Sequence, residues 1–299
     1  GDEADPFHGR EGLPHELRDL AQLRHHEDVI VPSTGPPSDA EVRALKAVIQ
    51  DPAAPVPKRR QAIRWLKRRH DQDTLDYLWS LLLVEQDSTI LQEVAKALVT
   101  IRTTGRAAFQ FPSARMRRQV AREVMTAQQI VSIAQAYRQH LREGTSPDDP
   151  VVGLLRVLLQ ESVEQVFRLL MLVYRPEDIH LIYEQLRSPD VHARADAVEL
   201  LDNLVDLAMR RILFPILDED RFLSFVDEPI EPLSGLAVSP RVFQEAIWDH
   251  HAWLSVTALC AVGRLRLAVM REELERAAHH TEPLVSTAAK LALELTIAL

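Results

Sequence analysis

From residue 38 onward, apolar side chains recur three and four positions apart, the spacing that puts them on one face of a helix. AEVRALKAVIQ, TLDYLWSLLL, STILQEVAKALVTI and RADAVELLDNL all carry this pattern. No stretch alternates apolar and polar residues with β-branched enrichment, so the chain is read as all-α. Helix starts are marked by hydroxyls. Ser38-Asp39-Ala40-Glu41 has the form of a capping box, in which serine and glutamate each satisfy an N–H of the first turn. Ser146-Pro147, Ser188-Pro189 and Ser239-Pro240, with Thr281-Glu282-Pro283 as a looser version, predict a hydroxyl cap followed by a proline that suits the first turn. Asp148, Asp149 and Asp190 then fall where the helix dipole favours negative charge. Residues 1–37 carry proline, glycine and mixed charge, with a short apolar stretch near Leu17–Leu23, and predict an irregular lead-in.

The helices repeat. Ala258, Ala261, Val262 and Leu265 are matched about 31 residues later by Ala289, Ala292, Leu293 and Thr296. Ala197, Leu200, Leu201 and Leu204 fit the same register, as do Ala95, Leu98 and Val99, and Ala62, Trp65 and Leu66. A small residue flanked by large ones at i+3 and i+4 lets two helices approach closely. Helical pairs of this kind bury their apolar faces only by stacking on neighbours. The pattern resembles HEAT-type repeats and predicts an α-solenoid over 38–299. Its parts would be N-terminal repeats at 38–105, a long inserted helix at 113–142 and C-terminal repeats at 148–299.

A narrower resemblance rests on VFRLL (166–170), YRPEDI (174–179), RADAVELLDN (194–203) and ILFPILDED (212–220). The stretch Glu161–Glu219 resembles the helical-repeat region that follows the membrane domain in bacterial nucleotide-transporter-like proteins related to ATP/ADP translocases. DHHAWLSVTALCAVGRL resembles the next repeat of that region, where a basic residue commonly stands at the position of Ser255. The likeness covers about residues 115–299. These are packing motifs, so the resemblance implies a module beside a membrane domain and carries over no transport residue. It also implies a place on the cytoplasmic side, attached to a parent transporter.

Composition agrees with helices: 46% of the 299 residues are hydrophobic and only nine are glycine. One cysteine, Cys260, excludes an intramolecular disulfide and any cysteine-based zinc site. The longest uncharged runs, Val124–Tyr137 and His250–Gly263, are 14 residues each. A bilayer span needs roughly 20. The chain opens on Gly with no signal-peptide pattern after it and is read as a piece of a longer protein. Residues 1–150 are electrically balanced, so the rest carries the whole net charge of −9, which argues against general nucleic-acid binding.

Within the balanced half, Lys58, Arg59, Arg60, Arg64, Lys67, Arg68 and Arg69 form one basic cluster, and Arg115, Arg117, Arg118 and Arg122 another. The first is a candidate surface for a partner or for anionic lipid headgroups. Asp249, His250 and His251 precede one repeat helix, and His279 and His280 the next. If the repeat period holds, imidazoles from both turns could share zinc or nickel. Catalytic signatures are lacking: no phosphate-binding loop, GxSxG or CxxC occurs. Asp218-Glu219-Asp220 lacks the spaced ligands of a calcium loop, and His15-Glu16-Leu17-Arg18-Asp19 has Asp where a zinc-protease motif needs its second His. Cys260 is read as a small buried filler, Asp202-Asn203 as a polar rung between repeats, and Trp65, Trp79, Trp248 and Trp253 as core. The function expected is a non-enzymatic interaction or regulatory scaffold without cofactor. Its partner would be a protein segment or another domain of the parent chain, with a membrane surface reached through the attached chain. The alternative is an enzyme or ligand binder of the helical-repeat glycosylase or lyase type.

Overall fold

Many of the helices begin where a side chain takes up a free N–H group of the first turn, and others where a proline opens the turn without such a cap. The computed structural model describes residues 35–104, 111, 113–140, 149–217, 240–249 and 251–297; these are all-α, with no strand among them. Most of the lead-in, including His15–Asp19 and Leu17–Leu23, lies outside the described residues. So do Ser146–Asp148, Asp218–Asp220, Ser239, His250 and the end of the 113–142 segment. Helix α1 (Asp39–Gln50) starts from the expected box: the Ser38 N–H donates to Glu41 Oε2 at 2.7 Å, and the Glu41 N–H to Ser38 Oγ at 3.4 Å. Then come α2 (Val56–Leu66), α3 (Gln72–Val84) and α4 (Ser88–Thr104), followed by α5 (Ser113–His140) and α6 (Pro150–Met171). Next are α7 (Pro176–Leu186), α8 (Val191–Leu204) and α9 (Leu207–Leu217). After α10 (Arg241–Ile247) and α11 (Ala252–Leu265), a short 3-10 turn leads into α12 (Arg271–Ala277) and α13 (Pro283–Ile297).

Aspartate does most of the capping. Asp71, Asp87, Asp149, Asp190 and Asp206 accept from backbone N–H groups at the starts of α3, α4, α6, α8 and α9. This corrects the hydroxyl-proline reading at Ser188-Pro189. The helix starts two residues later, and Ser188 only holds the turn, accepting from the Asp190 N–H at 3.2 Å. A carboxylate is both an acceptor and a charge at the positive end of the helix.

The chain divides into two compact units. One includes α1–α4, residues 113–127 of α5, residues 161–171 of α6, and α7–α9. In it α1 packs on α2, α3 on α4, α2 on α4, and α7 on α8. Ile49, Ile63, Leu66, Leu78, Ile90, Leu98 and Phe167 fill its core. The other includes residues 128–140, 149–160 and α10–α13. There α10 packs on α11, α12 on α13, and α11 on α13 around Tyr137, Phe243, Ile247 and Leu274.

The small residues predicted at the α11–α13 crossing, Ala258, Ala261, Ala289 and Ala292, are all buried. The tightest approach is made by a residue the register missed. A Cβ on Gly263 would stand 2.9 Å from Ala292 Cα and 3.1 Å from its Cβ, so only glycine lets the two backbones come this close. Two other expectations need correction. Leu200 is 48% exposed, and of the four tryptophans Trp248 is exposed while Trp79 is buried against Phe111. Trp248 instead donates its indole N–H to Glu273 at 2.9 Å under the Arg276 guanidinium.

Candidate functional site

The described residues gather their buried charge at two places, one in each unit. In the unit of α10–α13 the centre is Asp149, a buried carboxylate that caps α6 by accepting from the Val151 N–H at 2.8 Å. The Tyr137 hydroxyl, on α5, donates to its two oxygens at 3.2 and 3.0 Å. Arg264, on α11, donates to Asp149 Oδ2 at 2.9 Å and to the Tyr137 hydroxyl oxygen at 3.1 Å. Burial and the neighbouring carboxylate push the Tyr137 phenol far above its usual range. Burial opposes the charge on Arg264, but the bonds to Tyr137 and Asp149 outweigh it and hold the guanidinium above its ordinary value. One turn earlier on α11, burial raises the Cys260 thiol to about 11, which leaves little thiolate near neutrality. This network has its acceptors and donors matched. It is a clip joining three helices.

In the other unit the centre is Glu93, on α4, with 3% of its surface exposed. Arg64 donates to its Oε1 at 3.0 Å and Arg60 to its Oε2 at 3.4 Å, both from α2. Burial disfavours the carboxylate, but Arg64 and then Arg60 overcome this and hold Glu93 below its usual value. Lys96 lies one turn further along α4, half-buried, with no carboxylate within ion-pair distance among the described residues. Burial, then the charge of Arg168, pushes its amine below the ordinary lysine value. Arg168, on α6, pairs with Glu164 one turn back; burial lowers it to about 10. The Arg60 Nε is buried without a hydrogen-bond partner. Cations outnumber the carboxylates that pair with them.

The basic cluster read from the sequence is largely used inside the fold. Arg59 pairs with Glu85, Arg60 and Arg64 with Glu93, and Arg69 with Asp39 and Asp71. Arg68 lies 4.2 Å over the Trp65 ring. Lys58 and Lys67 have no ion pair among the described residues. The second cluster is partly engaged too, through Arg117 and Asp206 at 3.4 Å. Asp202 pairs with Arg210 of α9.

The histidine set is not brought together as a metal site by its described members. His251 Nδ1 accepts from the Leu254 N–H at 3.4 Å, and Asp249 Oδ1 from the His251 N–H at 2.7 Å. His280 Nδ1 accepts from the Glu282 N–H at 3.0 Å, and its ring lies 5.9 Å from that of Trp248. These groups are used by their own turns, and no cluster of three or more His, Cys, Asp or Glu side chains among the described residues could hold a metal ion. His250, the remaining member beside exposed His279, lies outside them.

Sequence reasoning missed Tyr137, Glu93, Lys96, Arg168 and Arg264, and took Asp149 only as a first-turn acid. A partial signal was present: one uncharged run ends on Tyr137, and the other stops just before Arg264. No helix among the described residues is long and apolar enough to cross a membrane. Comparison with protein-family models, with curated proteins and with solved structures finds no match to this chain.

Proposed function

We propose that the chain is a helical-repeat interaction scaffold, each unit a short stack of helical hairpins of the HEAT kind. One observation carries the reading: in both units a helix packs on the next but one, α2 on α4 and α11 on α13. Hairpins that stack through their second helices leave long faces open to a partner. The two ion clusters fit this role, since each ties helices together and neither presents a nucleophile paired with a base among the described residues. The partner proposed is a protein segment or another domain of a transporter-like parent, on the cytoplasmic side.

Photo-crosslinkers placed at exposed Met125 and Leu181 in the cell test the reading. Recovery of one recurring protein segment is expected, with no nucleotide turnover and no salt-resistant binding of duplex DNA by the purified chain. Turnover at enzymatic rates, or DNA affinity at physiological salt, would replace the scaffold with the glycosylase or lyase class. For the basic cluster, Lys58, Lys67 and Arg68 are the cations without an ion pair among the described residues. Cosedimentation with phosphatidylserine vesicles that survives their replacement by Gln would remove this surface from consideration.

A further inference from the structure

We propose that Lys96, with Arg60 and Arg64 across the α2–α4 packing, forms a binding site for a small oxyanion, a phosphate or a carboxylate. The argument is a count of donors against acceptors. Arg60 and Arg64 stand four residues apart on α2 and so share a face; Glu93 and Lys96 stand three apart on α4 and do the same. The carboxylate of Glu93 has two oxygens, and each is already engaged, Oε1 by Arg64 and Oε2 by Arg60. Lys96 adds a third cation around this one carboxylate: Glu93 attracts it, yet Lys96 makes no ion pair among the described residues, so positive charge is in surplus. Arg168 offers no relief, because its charge repels the ammonium and its own carboxylate partner is Glu164.

Two further observations point the same way. The Arg60 Nε is buried and lacks an acceptor, so a second donor beside Glu93 stands open. Arg64 keeps 55% of its side chain exposed, which leaves the cluster reachable from water. A half-buried ammonium whose one nearby carboxylate is shared with two arginines is costly. The depressed amine of Lys96 is the expected response to that cost. An entering oxyanion would supply the missing acceptors and reverse the repulsion among the cations. The site stands independently of the scaffold reading, since it needs only the packing of α2 on α4.

The test is thermal melting of the full chain in phosphate, in acetate and in chloride at matched ionic strength, for the native protein and K96M. General salting effects act on both proteins alike, so the difference between them is the readout. The native protein should show a saturable rise in Tm with phosphate or acetate, and K96M should need at least tenfold more anion for the same rise. Whichever anion acts at lower concentration identifies the chemistry. Should K96M fail to fold, pulse labelling of the native protein with acetic anhydride decides instead: the anion should slow modification of Lys96 several-fold while leaving exposed Lys58 unchanged. Equal melting shifts in the two proteins, or unprotected Lys96, overturns the site.

Discussion

Asp149 and Glu93 are both buried carboxylates that receive arginine, yet they end in opposite states. Asp149 collects a phenol, a guanidinium and a backbone N–H, and each donor that reaches it has a charge or dipole to answer. Glu93 collects two guanidiniums and attracts Lys96 as well, one carboxylate set against three cations. The first arrangement is closed: its parts come from α5, α6 and α11, and losing one leaves the others stranded. The second is open, because Arg64 reaches solvent and three cations surround one carboxylate, Lys96 making no ion pair among the described residues. A buried charge set with matched valences fixes structure, whereas a surplus of one sign is a place for a counter-ion.

The largest expected effect tests the closed side. D149A removes the cap of α6 and strands Arg264 and the Tyr137 hydroxyl, at a cost of about 3 kcal/mol in urea unfolding. A loss no larger than that of an ordinary exposed cap would show that the three helices are not joined through this carboxylate. E93Q should cost less, about 1–2 kcal/mol, since Arg64 can return to water. It also changes the acid limb. The folded value of Glu93 is depressed, so its stabilisation is present above the unfolded value of 4.5 and lost as pH falls through the folded one. Native and E93Q stabilities should therefore converge on acidification below 4.5; a constant gap would mean that the carboxylate is not held by its arginines.

A third comparison separates crowding from open space on the helices themselves. G263A adds a methyl that meets Ala292 backbone at 2.9 Å and should cost about 1 kcal/mol, the overpacking outweighing the gain in helix propensity. At Gly153, in α6 just after Asp149, a Cβ would meet nothing within 4 Å. G153A should therefore stabilise by up to about 1 kcal/mol. Stabilisation by both changes would mean that α11 and α13 stand further apart than the structure places them.

The helices were legible because their signals are local. The three- and four-residue apolar period, the Ser38–Glu41 box and the proline opening α13 all act within one or two turns. Caps were legible by position more than by identity, since Asp190 displaced Ser188 two residues away. The sites were not legible, because their partners are distant in the chain. Arg264 meets Asp149 across 115 residues, and Arg64 meets Glu93 across 29. The basic cluster misled for the same reason: a run of arginines looks unopposed until packing brings Glu85, Glu93 and Asp39 to it. Gly263 was overlooked beside the four alanines of the crossing because the register was sought in residues that leave a side chain to count.

Alkaline pH gives the smallest and most discriminating effect, since the two sites should respond with opposite signs. Tyr137 has its folded value raised above the unfolded 10.0, so its contribution is complete below that pH and is lost as pH climbs toward the folded value. Lys96 has its folded value lowered beneath the unfolded 10.5, so its penalty is complete below the folded value and relieved as pH rises toward 10.5. Other tyrosines are raised as well, half-buried Tyr77 to about 12, so each variant must be read as a difference from the native protein. Subtracting Y137F from the native protein should leave a stability difference that falls on raising the pH above 10. Subtracting K96M should leave one that rises with pH below 10.5. Each change should amount to several tenths of a kcal/mol up to about 1 kcal/mol over the accessible range. Urea midpoints at pH 8, 9, 10 and 11 suffice to measure them. Parallel slopes in the two subtractions would mean that Lys96 is an ordinary solvated lysine, and would remove the contrast between the closed and the open site.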